Sequence, residues 1–197
     1  MTEGLHLAAL LLYGAAAVLM GISFARNDGR LPTVASGSLA AGLLLHSWAL
    51  FEFSTLWNEL PLVGLGPFLS SLAYLIGIGT LIASTLGHAL TVGLVLIPVV
   101  VVMLGVAAGV GIAPAGGAQA FQSNWVVLPG LLALVGYVGL TVAFAAGLMY
   151  LMQFRELKSK HFGAIFRFFP PLETLDRLGR LGLILGFPAL TLALLVA

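Results

Sequence analysis

Polar positions are so sparse along this chain that they leave six apolar stretches, at roughly 5–24, 32–54, 66–84, 89–112, 126–154 and 174–197. Each is about 20 residues or longer, the length at which a helix crosses the hydrocarbon core of a bilayer. Inside that core every backbone N–H and C=O must find a partner within its own segment, which favours helices. The pattern predicts an all-α fold, a polytopic membrane bundle of about six transmembrane helices. These fill nearly all of the chain, so a single integral-membrane domain over 1–197 is expected, with no separate soluble domain. The start, Met-Thr-Glu-Gly-Leu-His, lacks the basic segment of a secretory signal, so the first helix is expected to be retained.

Composition sharpens this picture. Apolar residues make up 60% of the 197 and charged residues 8%; mean hydropathy is +1.13, far outside the soluble range. There is no cysteine, hence no thiol for disulfide exchange, thiolate ligation or covalent catalysis. A net charge of +1 argues against a nucleic-acid partner. The eight Lys and Arg all fall at 26–30 and 155–180, in loops that six crossings place on one side. The opposite side holds both termini, the 2–3 loop with Glu52 and Glu59, and the 4–5 loop at 113–124, none of them basic. Positive-inside counting therefore predicts N-out and C-out, with the 5–6 loop cytoplasmic, in a plasma (inner) membrane. Trp48, Trp57 and Trp125 fall near the outer ends of their spans, where amphipathic rings prefer to sit.

Small residues recur at four-residue spacing at Gly105/Gly109, Gly139/Ala143/Gly147 and Gly182/Gly186, and cluster from Ala35 to Gly42. Small faces let helix backbones approach closely in lipid, within one bundle or between subunits. Pro98 and Pro188 are intramembrane and are expected to kink the fourth and sixth spans. Between Leu157 and Phe169, basic residues alternate with Phe and Ile, which suits a short helix lying in the cytoplasmic interface. The chain shows no internal repeat and no low-complexity linker.

Candidate chemistry is sparse. His46 lies in the outer half of the second span, and an unpartnered imidazole in hydrocarbon costs roughly 2–7 kcal/mol, so it should face the bundle interior. Two readings stand side by side. It is either a structural histidine bonded to a hydroxyl or carbonyl, or an axial ligand for haem. For the second, Gly42, Leu43, Ala49, Leu50, Phe53 and Trp57 would form an apolar face fit for a flat macrocycle. His6 at the outer interface, His88 in the 3–4 turn and His161 in the basic loop read as solvated or snorkelling side chains. No two histidines have metal-ligand spacing, so no metal site is expected. Glu52 reads as an interfacial carboxylate. Without a nucleophile elbow, phosphate loop or paired carboxylates, the chain is not expected to be an enzyme. It also lacks the buried chain of ionisable groups and the inverted repeat of a transporter.

From about residue 40 onward the sequence resembles the cytochrome c assembly family, the group of CcsA-type and HemX-like membrane proteins. Two stretches carry the likeness. One is Phe121-Gln-Ser-Asn-Trp-Val-Val-Leu-Pro-Gly-Leu-Leu-Ala-Leu-Val-Gly-Tyr137 with Gly147-Leu-Met-Tyr-Leu-Met-Gln-Phe-Arg-Glu-Leu-Lys158. The other is Phe169-Pro-Pro-Leu-Glu-Thr-Leu-Asp176 with Leu185-Gly-Phe-Pro-Ala-Leu-Thr191. His46, followed by Pro61, is similar to the HemX-like pattern.

The resemblance implies a role in cytochrome c-type biogenesis, with haem as the candidate ligand and other membrane subunits as partners. It also implies what is missing. Where members that present haem externally carry a histidine at the opening of the fifth helix, this sequence has Pro129, and proline has no ligating side-chain atom. The family continues past the Gly-Phe-x-x-Leu-Thr helix into a tryptophan-rich (WWD) segment and a second haem-ligating histidine, about where this sequence reaches Ala197. The expectation is a haem-handling or assembly accessory protein without the external bis-histidine haem site; the alternative is a non-catalytic structural subunit of a larger membrane complex.

Overall fold

The computed structural model describes residues 2–26, 28–86, 90–114, 124–160 and 163–196, the side chains at 85, 86, 90, 124–126, 164 and 166 excepted. They form seven helices and one 3-10 turn, and none of them is a strand. The helices are α1 (Thr2–Arg26), α2 (Leu31–Trp57), α3 (Leu65–Leu86), α4 (Gly93–Val110), α5 (Asn124–Ser159), the short α6 (Ala164–Phe168) and α7 (Leu172–Val196). All but α6 are long and apolar enough to cross a membrane, so this is a multi-pass membrane protein.

Each helix ends where its sequence lets it. Pro32 stands in the first turn of α2, where its missing N–H is not needed. Asn58 closes α2 in the left-handed region, φ 47°. Gly111 ends α4 at a positive φ of 97° that a side chain would disfavour, its N–H donating to Ala107 O. The 36 residues of α5 make a rod of about 54 Å at 1.5 Å per residue, well beyond the hydrocarbon thickness. Its last turns, with Arg155 and Lys158, therefore project past the apolar layer. The expected interfacial helix at 157–169 is shorter in fact. Residues 157–159 continue α5, Lys160 turns the chain at φ 56°, and α6 takes only Ala164–Phe168. The helices α4 and α7 run on through Pro98 and Pro188.

Helices α1 to α4 form one packed group. Ala9, Tyr13, Ala16 and Met20 of α1 meet Leu39 and Leu43 of α2, Ala73 and Ile76 of α3, and Leu96, Val100 and Leu104 of α4, all buried. The spacing of three and four along α1 is a helical stripe, and it is made of small and polar residues as well as bulky ones. At the α3–α4 contact, Gly66 lies against the carbonyl of Gly111 so closely that a Cβ could not fit.

Helices α5 and α7 form a second unit, an antiparallel pair held along a glycine seam. A Cβ on Gly139 would lie 2.7 Å from Gly186 Cα, and one on Gly182 would lie 2.5 Å from Gly139 O. Two of the small-residue spacings in the sequence thus meet each other. Gly105, Gly109 and Gly147 take no part in such a contact: a Cβ on any of them would meet nothing within 4 Å. The pair joins the first group mainly through α5 against α3.

Candidate functional site

The polar centre of the first group lies toward the end of the bundle that carries the N-terminus. It is set by a cavity-making glycine. Gly42, one turn before His46 on α2, leaves room for the Tyr13 ring of α1; a Cβ there would sit 2.7 Å from Tyr13 Cε1. With its ring laid on Gly42, Tyr13 brings its hydroxyl within 3.1 Å of His46 Nδ1. From the other side Ser70, in the second turn of α3, places its hydroxyl 2.9 Å from His46 Nε2. His46 is fully buried and both of its ring nitrogens are engaged. In a neutral imidazole one nitrogen donates and the other accepts, and a hydroxyl can answer either. One side chain thereby ties three helices together.

Two further rings complete the cluster. Tyr74 of α3 meets the His46 ring edge-on, with centroids 5.3 Å apart, and His6 of α1 does the same at 5.3 Å. The place of His6 corrects the reading of it as a solvated interfacial side chain, since it is 1% exposed. His6 lies on the same α1 stripe as Ala9, Tyr13, Ala16 and Met20, and that 3–4 spacing was the signal that could have found it. Its Nδ1 is 2.8 Å from the Thr2 carbonyl oxygen, which can only accept, so Nδ1 carries the proton. Nε2, the lone-pair nitrogen of the neutral ring, is buried without a hydrogen-bond partner.

The carboxylates are half-buried. Glu52, nearly two turns further along α2, and Glu59 in the following loop each hold one oxygen buried without a partner. Ser71 is also turned to this end, donating to the Pro61 carbonyl at 2.6 Å and so fixing the α2–α3 loop against α3. Among the described residues no three His, Asp or Glu side chains are grouped to hold a metal ion. His88 and His161 lie outside the described residues, as do Gln122, Ser123 and the Trp125 side chain. Gln153, from the Tyr-Leu-x-Gln element, is buried toward the basic-loop end with Oε1 unpartnered. Pro129 sits within α5.

Of the residues singled out in the sequence, the structure gathers His46 with His6, and leaves Trp48 and Trp57 exposed on the outside of α2. Tyr13, Ser70 and Tyr74 enter the cluster although nothing in their local sequence marks them.

The family model described as Cytochrome C assembly protein matches residues 3–196. No curated protein and no solved structure matches the chain.

Proposed function

Since this chain belongs to the cytochrome c assembly family, we propose that it is a haem-handling accessory protein of cytochrome c biogenesis, HemX-like, seated in the plasma (inner) membrane with both termini outside. The observation that carries this reading is the family match across nearly the whole chain. Haem is cargo in such a role, and the reading assigns no catalytic step to these residues. It does not include the external bis-histidine haem site, because Pro129 stands where a presenting member would carry a histidine.

The cluster at the N-terminal end bears on where cargo could be met. His46 offers no free nitrogen while Tyr13 and Ser70 hold it, so its arrangement does not fit an axial ligand. His6 does offer one, with the tautomer already set by Thr2. The reading therefore moves the candidate ligand from His46 to its neighbour and gives His46 the task of positioning it.

The saturated His46 also favours a second reading, a structural subunit in which the cluster only ties helices together. Deleting the gene and measuring covalently bound c-type haem tests the assembly role: c-type haem should fall, and unaltered levels would overturn it. The optical spectrum of the purified protein divides the two readings. A Soret band lost in His6→Ala supports cargo contact, whereas a colourless wild-type protein that co-purifies with other membrane subunits supports the scaffold.

A further inference from the structure

At the opposite end of the bundle, α3 and α7 both lean on α5 but stand apart from each other, and the space between them is a groove of about 790 Å³. Its floor is Val138 and Val142 of α5. Gly79 and Ala83 on the α3 wall keep it wide, and the walls are otherwise aliphatic. The mouth is polar, formed by Glu173, Thr174 and Arg177 on the first two turns of α7. Arg180, one turn on, is already paired with Asp176 at 3.1 Å. Arg177 makes no ion pair among the described residues, with Glu173 or any other carboxylate.

We propose that this groove binds one anionic phospholipid, an acyl chain lying along Val138 and Val142 and the phosphate meeting Arg177 and the Thr174 hydroxyl. Charge decides between this and other occupants. From 155 to 180 the chain carries six basic residues against three acidic ones, so this end of the bundle is cationic despite Glu173. A free cation at the mouth of a groove between transmembrane helices, at an end of the bundle with net positive charge, is a setting in which anionic headgroups are held. A transmembrane helix of another protein would fill the aliphatic walls equally well, but would have to carry a carboxylate at the level of Arg177 to neutralise it, whereas an anionic lipid brings its charge at the headgroup level. An acyl chain needs no matched side chains, and a groove open along its side to the bilayer admits it directly.

The test uses the whole chain in mild detergent. Bound lipids are counted by native mass spectrometry after exposure to phosphatidylglycerol or phosphatidylcholine with identical acyl chains. One phosphatidylglycerol should be retained per chain, with about a fivefold preference over phosphatidylcholine, the effect of one cation near a headgroup. Arg177→Gln should remove the preference and leave chain binding in place; Ala83→Phe should fill the groove and remove both. Arg177 is exposed on the helix surface, so that variant tests the headgroup contact without disturbing the fold. Equal retention of the two lipids by wild type would overturn the proposal. So would an undiminished preference in Arg177→Gln, an unchanged lipid count in Ala83→Phe, or displacement of phosphatidylglycerol by millimolar inorganic phosphate.

Discussion

The two halves of this bundle are held by different physical means. Around His46, three helices meet through hydrogen bonds, with Tyr13 and Ser70 reaching in from α1 and α3. Along the α5–α7 seam the backbones approach so closely that Gly139, Gly182 and Gly186 leave no room for a Cβ, the partner's backbone atoms standing where it would go. In water either arrangement would be backed by the hydrophobic effect. In lipid it is not, because acyl tails are as apolar as leucine, and contact must come from close packing or from polar pairs. The comparison teaches that polar contacts hold a helix cluster that can tolerate some spacing, whereas a seam of glycines tolerates none.

Substitutions can break that contrast in order of size. Gly139→Leu should do the most damage, since its side chain would have to displace the α7 backbone. A loss of about 3 kcal/mol or more is expected, visible as unfolding at lower denaturing-detergent fraction. His46→Leu comes next, leaving the buried Tyr13 and Ser70 hydroxyls without their partner, at about 2 kcal/mol. In that variant the fluorescence of Tyr13 and Tyr74 should report the loosened cluster while the α5–α7 seam stays intact. Tyr13→Phe removes a single bond and should cost about 0.6 kcal/mol, the usual worth of a hydrogen bond between membrane helices. If the loss matched that of His46→Leu, the cluster would have to act as one unit. Smallest of all, Gly105→Ala and Gly147→Ala should stay within about 0.5 kcal/mol of wild type, since a Cβ at either position meets nothing. A large effect there would show that these faces are covered by another protein in the membrane.

Much of this was legible in the sequence. The six spans are written in the long apolar runs, and the seam is written in Gly139 and Gly182/Gly186. What the spacing could not tell is which small faces meet each other, and Gly105/Gly109 share the pattern yet face outward. His46 had to be buried on energetic grounds, and a hydroxyl partner was one of its two expected fates. The identity of that partner was out of reach, because Ser70 lies 24 positions away and only the α2–α3 packing brings it near. His6 was misread for a different reason. A residue five positions from a terminus reads as interfacial, but the α1 stripe through Ala9 and Tyr13 carries it inward. In a helix apolar all round, the buried face is marked by small and polar residues among the bulky ones. The groove at Arg177 had no local signature, since it exists only because α3 and α7 both lean on α5 and hardly meet each other.

The imidazole at 46 also sets how the bundle can move. It is a flat, rigid ring with its two nitrogens on different edges, so it fixes the azimuth of α1 and α3 relative to α2 together. Rolling α1 would strain the Tyr13 bond, rolling α3 the Ser70 bond, and rolling α2 both at once. The weaker of the two joints in the bundle is therefore the one between α5 and α3, where among the described residues no buried hydrogen bond of this kind ties the helices.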